Sequence, residues 1–206
     1  MGGYLGKLLR VDLSSGQVAE ELLNTAVARQ YIGGIGMGTR ILFDEVPPGA
    51  DPLGPDNKLL FMAGPLVGTE FPASAGFAVV TKSPLTGLLA HDSLAGHWGA
   101  SLKQSGYDGV IVEGASPQPV WLDVRDSGAE IKDATGLWGT DAVAAEEKIR
   151  GQFAGPLAQV VGIGPAGEGK VPLACLVGDG GRAVGRGGIG AVMGSKNLKA
   201  ISVQGA

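Results

Sequence analysis

Apolar and polar residues alternate at the start of the chain. Leu9, Val11 and Leu13 interleave with Arg10 and Asp12, which predicts a half-buried strand over Lys7–Leu13. Ser14–Gly16 turns it, and Gln17–Leu22 returns as the second arm of a hairpin. Thr25–Tyr31 has helical spacing. The glycine cluster Gly33–Gly38 follows, then the apolar run Ile41–Val46. The cluster follows a helical pattern and is spaced GxGxG, so it does not fit a dinucleotide fingerprint; it reads as a helix start close to another backbone or a ligand. Beyond the proline-rich loop Pro47–Asp56, strands are predicted at Lys58–Met62, Phe77–Thr81 and Gly109–Glu113. A turn spans Ser83–Gly87, and the small residues of His91–Gly99 read as a loop leading into a short helix at Trp98.

The same order then recurs. Val120–Arg125 alternates, turns at Asp126–Gly128 and returns through Ile131. Thr140–Phe153 predicts an amphipathic helix with Ala142, Ala145, Ile149 and Phe153 inward and Glu146, Glu147 and Lys148 in solvent. Strands are predicted at Val160–Ile163, Val171–Val177 and Ala200–Val203. Residues 94–114 align without a gap on 185–205, placing Gly96 on Gly187, Gly99 on Gly190, Ala100 on Ala191 and Gly114 on Gly205. This predicts an internal duplication, about 5–114 and 118–205, within one domain of 1–206. Its two copies present glycine-rich loops near His91–Gly99 and Gly181–Gly190.

Composition narrows the chemistry. Glycine supplies 37 of 206 residues, well above the usual ~7%, which implies many tight turns and close backbone approaches. A net charge of −4 argues against nucleic acid as the main partner. No apolar run is long enough to cross a membrane, and the start lacks the apolar core of a signal peptide, so a cytoplasmic location is expected. One cysteine, Cys175, excludes an internal disulfide and an iron–sulfur site built from this chain alone; it reads as a buried small hydrophobe.

The stretch Gly178–Lys199 combines glycines with Arg182 and Arg186. Glycine backbones with free N–H groups, beside planar guanidinium forks, suit a phosphorylated ligand. Elsewhere, His91 and His97 match no zinc spacing. Lys82 and Ser83 read as a strand-end turn, Lys196 and Lys199 as solvated, and Trp98, Trp121 and Trp138 as packing residues.

Four motifs point further: RAVGRGGIGAVMGSKNLKA, GPAGE at Gly164–Glu168, VVTKSPLTG at Val79–Gly87 and GYDGVIVEG at Gly106–Gly114. With the opening GKLLRVDLSSG they resemble, in order and over essentially the whole chain, the N-terminal domain of the aldehyde:ferredoxin oxidoreductases. These are tungsten- or molybdenum-pterin enzymes. The resemblance implies an α+β, β-rich and internally duplicated domain of two sheets with a few helices, lying beneath a metal held by two pterins. It implies pterin-phosphate contacts at Gly76, Ser93, Leu94, Ala95 and Gly96 in the first loop, and at Arg182, Ala183, Gly185, Arg186 and Gly187 in the second. A magnesium ion bridging the phosphates would lie at Ser93 and Ala183. Ser93 and Ala95 stand where the family commonly has asparagine and glycine, and Gly76 where arginine is frequent. The 4Fe-4S cluster is expected in other domains or a partner chain. A small aldehyde is the expected substrate and ferredoxin the electron acceptor, with no membrane partner and a homo-oligomer left open. A non-catalytic pterin carrier or assembly module, or a structural subunit, is the alternative.

Overall fold

The N-terminal alternation forms the hairpin it predicts. In the computed structural model, which describes residues 3–153 and 158–205, β1 (Lys7–Asp12) pairs antiparallel with β2 (Gln17–Leu22). Helix α1 (Thr25–Tyr31) starts at Asn24, whose side chain accepts from the N–H groups of Ala26 and Val27. The glycine cluster and the apolar run after it form one helix, α2 (Gly34–Glu45). Its glycines allow close packing: a Cβ on Gly38 would lie 2.7 Å from Val80. Then come β3 (Leu59–Met62), β4 (Gly76–Lys82), β5 (Leu89–Ala95), α3 (Trp98–Gln104) and β6 (Gly109–Glu113).

The second half contains β7 (Val120–Arg125), β8 (Gly128–Asp133), α4 (Ala142–Arg150), β9 (Gln159–Gly162), α5 (Pro165–Glu168), β10 (Leu176–Gly178), β11 (Arg182–Val184), α6 (Ile189–Ser195) and β12 (Leu198–Gln204). The first sheet runs β2-β1-β6-β3-β4-β5, and the second β8-β7-β12-β9-β10-β11. Taken strand for strand, the two orders match. The senses match too: β1–β6 and β7–β12 are parallel and every other neighbouring pair is antiparallel. Helices α3 and α6, each seven residues, coincide in the gapless alignment of 94–114 on 185–205.

The sheets share one core. Leu9, Val11, Phe61, Val79 and Val112 of the first meet Leu122, Val161, Ile201 and Val203 of the second. Trp98 and Leu102 of α3, with Ile189, Val192 and Met193 of α6, belong to the same cluster. The Trp98 indole N–H donates to the Ile201 carbonyl at 3.1 Å, so its polar edge is satisfied in an apolar setting. Helices α1 and α2 cover the outer face of the first sheet, and α4 that of the second. β3 is buried along its whole length, which is why it reads as a continuous apolar run.

Several expectations are corrected. The small-residue stretch expected as a loop at His91–Gly99 is strand β5 as far as Ala95. Only Leu176–Gly178 of the expected strand Val171–Val177 pairs. Pro172 has no N–H to give a ladder, and Val171 and Leu173 are exposed. Cys175 is half-exposed. Glu146 is buried and not in solvent; it pairs with Arg150 at 2.8 Å and accepts from the Gly180 N–H. Lys196 and Lys199 are both fully buried. A buried ammonium needs partners. Lys196 Nζ donates to the carbonyls of Asn57 (2.5 Å) and Gly114 (2.9 Å), and Lys199 Nζ to the Thr140 carbonyl and Glu168.

Two stability measurements follow. A Cβ on Gly190 would overlap the Cys175 carbonyl, so Gly190→Ala should cost about 1–3 kcal/mol in denaturant unfolding. Gly136→Ala, in open space, should stay within about 0.5 kcal/mol. Burial, reinforced by the Lys58 charge and opposed by Glu113, pulls Lys196 from 10.5 down to about 8. Between those values the unfolded chain binds more protons, so Lys196 makes stability rise with pH. Burial and the Glu20 hydrogen bond push Tyr107 up to about 12, so above pH ~10 it opposes that rise. Unfolding midpoints of Lys196→Met should lack the rise between pH 8 and 10.

Candidate functional site

β5 and β11 are edge strands of their respective sheets, and they lie beside each other. Along β5, Ala90 and Leu94 are buried and Asp92 is half-buried, while Leu89, His91, Ser93 and Ala95 are exposed. This is the period of two that a strand imposes. Pairing with β4 sets Gly76 opposite Ala95, Phe77 opposite Leu94 and Ala78 opposite Ser93. The first group of expected contacts is therefore gathered at one corner, with Gly96 next in the chain. The Leu94 side chain is in the core, so only its backbone can serve a ligand.

The second group arrives on β11 and the loop after it. The turn into β11 holds Asp179, Gly180 and Gly181 at φ of +47°, +73° and +109°. Arg182 and Ala183 are exposed on the strand, Val184 and Gly185 are buried, and Arg186 is exposed again. Gly185, Gly187 and Gly188 all have positive φ, which leads the chain abruptly into α6.

Cross-links join the groups. Arg182 Nη1 donates to the Ala95 carbonyl at 3.0 Å. Asp92 Oδ2 accepts from the Gly185 N–H at 3.0 Å, Oδ1 accepts from the Ser93 N–H at 2.8 Å, and the Arg186 N–H joins the same carboxylate. Burial alone would raise the Asp92 carboxyl; these N–H groups and the Arg186 charge outweigh it and hold it below the usual range. Asp179 Oδ2 accepts from the His97 N–H at 3.1 Å. The buried Ser83 hydroxyl donates to the Gly187 carbonyl at 2.7 Å and accepts from the Leu85 and Thr86 N–H groups, both at 3.1 Å. Hollows of about 260 Å³ flank the strip, one beside Ser93 and Ala95 and one beside His97, Arg150 and Arg182. Beneath the second, burial chiefly, with Asp179 and Glu147 nearby, raises the Glu146 carboxyl despite Arg150.

The lip therefore carries two exposed guanidinium groups and a hydroxyl, along edge strands whose outer backbone groups lie outside any ladder. That set suits phosphate, and its hydroxyl and carbonyl oxygens suit a hard cation. His91 and His97 do not assemble into a metal centre: among the described residues no three or more His, Cys, Asp or Glu come together as metal ligands. Lys82 Nζ is taken by the Pro48 and Ala50 carbonyls, at 2.5 and 2.8 Å. Ser83 closes the strand-end turn expected there, whereas nothing in the sequence marks Asp179 or the cross-link made by Asp92.

Comparison with known proteins gives this arrangement a class, an oxidoreductase domain. A family model described as "Aldehyde ferredoxin oxidoreductase, N-terminal domain" matches residues 8–205. The chain belongs to the aldehyde ferredoxin oxidoreductase family and corresponds to that N-terminal domain. It is 46% identical over 205 residues to the tungsten-containing aldehyde ferredoxin oxidoreductase of Pyrococcus horikoshii, covering 100% of this chain and 34% of that protein. To the Pyrococcus furiosus enzyme of the same name it is 44% identical with the same coverage. To a P. furiosus aliphatic sulfonate oxidoreductase, WOR-like subunit, it is 38% identical over 222 residues, covering 100% of this chain and 35% of that one. Among solved structures, the active-site complex BamBC of benzoyl coenzyme A reductase with 1,5-dienoyl-CoA contains a chain that superposes with a TM-score of 0.95. The identity is 40%, over 99% of this chain and 31% of that one. The chain spans about a third of the length of these relatives.

Ser83→Ala removes a buried hydroxyl from three hydrogen bonds. It should cost about 1–3 kcal/mol, and amide hydrogen exchange should quicken at Leu85 and Thr86.

Proposed function

We propose that this chain is the pterin-cofactor-binding domain of a tungsten oxidoreductase that converts aldehydes to carboxylic acids. The observation that carries this reading is Arg182 reaching from β11 to the Ala95 carbonyl, so that both groups of expected contacts share one lip. A domain of 1–206 made by duplication suits a paired cofactor. The named relatives favour tungsten over molybdenum and an aldehyde over the sulfonate and coenzyme A substrates of the more distant ones.

The residues present fit the phosphate end of such a cofactor. Arg182 and Arg186 offer exposed positive charge, and Gly76, Ser93, Leu94, Ala95 and Gly96 face Ala183, Gly185 and Gly187 across the junction. The Ser93 hydroxyl and the Ala183 carbonyl are our candidates for a bridging magnesium ion. When bound, the tungsten-pterin group supplies the two-electron redox chemistry. The chain's own part is to neutralise phosphate charge, fix orientation and keep apolar surface beneath the lip. Electrons would leave through a 4Fe-4S cluster on other domains or a partner chain and pass to ferredoxin. Exposed Phe43, Leu88 and Leu89 line an apolar hollow of about 400 Å³, which supports a covering neighbour. Among the described residues no helix is long and apolar enough to cross a membrane.

Metal and pterin analysis of the protein purified from its native host tests the reading. Tungsten with paired pterins and an iron-rich companion is expected, and Arg182→Glu should lower the pterin content several-fold. Metal and pterin without iron would indicate a carrier. Absence of both, with Arg182→Glu indistinguishable from wild type, would overturn the assignment.

A further inference from the structure

Four of the residues gathered at the junction are glycines, and each has a neighbour from its own chain where a Cβ would go. For Gly76 the neighbour is the Leu94 carbonyl oxygen at 2.9 Å, and for Gly185 it is Ile189 Cβ at 2.9 Å. For Gly187 it is Ser83 Oγ at 3.3 Å, and a Cβ on Gly96 would overlap the Asp179 carboxylate. Close packing within the chain, between the halves at Gly96 and Gly187 and inside one half at Gly76 and Gly185, is therefore sufficient reason for glycine at these positions, without a ligand approaching the backbone.

Three of the N–H groups there are taken by carboxylates of the chain itself. Gly185 N–H donates to Asp92 Oδ2 at 3.0 Å, joined by the Arg186 N–H. His97 N–H, at the start of α3, donates to Asp179 Oδ2 at 3.1 Å. The arrangement is reciprocal: Asp92 of the first half enters the turn before α6, and Asp179 of the second enters the turn before α3. A carboxylate receiving backbone N–H groups at a glycine turn is the geometry in which such turns bind anions.

We propose that Asp92 and Asp179 are built-in anions: they occupy the N–H groups of Gly185, Arg186 and His97 and leave a phosphate-bearing ligand chiefly to the side chains of Arg182, Arg186 and Ser93. This rests on the reading of the lip as a phosphate site and refines it. Recognition then depends on exposed guanidinium charge, so it should weaken steeply with salt, and the glycine turns serve as a clasp between the halves.

Inorganic pyrophosphate, titrated at constant ionic strength into the ¹⁵N-labelled 206-residue chain and followed by NMR, tests this. The Arg182 and Arg186 Nε–H signals should shift, while the backbone N–H signals of Gly185, Arg186 and His97 hold still. In Asp92→Ala the Gly185 and Arg186 amides should become responsive, because their built-in partner is gone. Movement of those amides in the wild type, in step with the guanidinium signals, would overturn the clasp and leave the phosphate site standing. Guanidinium signals that do not move would overturn both. The wild-type titration decides even if the variant fails to fold.

Discussion

The structure depends on one close approach made twice. Helices α3 and α6 lie in the shared core between the sheets, and each touches the backbone beside the β4 or β10 strand of its own half. A Cβ on Gly99 would overlap the Gly76 carbonyl, and one on Gly190 the Cys175 carbonyl. With both helices seated, the two sheets bury one cluster between them, and the strands that lead into the helices, β5 and β11, are carried to adjoining edges. The candidate site is a consequence of that seating. It lies where the helices begin because there the two halves come within hydrogen-bonding distance of each other.

Much of this was legible from pattern alone. Period-two alternation over Lys7–Leu13 and Val120–Arg125 and apolar runs at Lys58–Met62 and Val160–Ile163 mark strands that the structure confirms to within a residue at each end. What escaped did so for identifiable reasons. β5 is an edge strand of small and polar residues, since only its inward positions at Ala90 and Leu94 need to be apolar. Lys196 and Lys199 look solvated in sequence, where nothing marks the carbonyls that their ammonium groups meet after folding.

Of the candidate site, the exposed charges were legible and the neighbours of its glycines were not. Arg182 and Arg186 are exposed, as a phosphate contact requires. A glycine in sequence carries no sign of whether it opens a path to a ligand or to another part of the same chain. Gly96 illustrates the ambiguity, since the atoms that exclude a larger residue there belong to Asp179, far along the chain. Family resemblance has the same blind spot, because a residue kept for packing and one kept for binding occupy the same position.

Common topology does not make the two halves chemically equivalent. In the gapless alignment Arg186 falls on Ala95 and Gly187 on Gly96, so the second half carries a guanidinium where the first has a methyl group. Arg182 crosses to the Ala95 carbonyl, bringing charge from the second half to the edge of the first. The only carboxylate on β5, Asp92, is turned into the second half's loop and away from the exposed row at His91, Ser93 and Ala95. A ligand with two phosphates on this lip would meet one end rich in positive charge and another offering chiefly a hydroxyl and backbone groups. Such asymmetry fixes which end of a nearly symmetric ligand goes where, something two identical copies of the fold could not do.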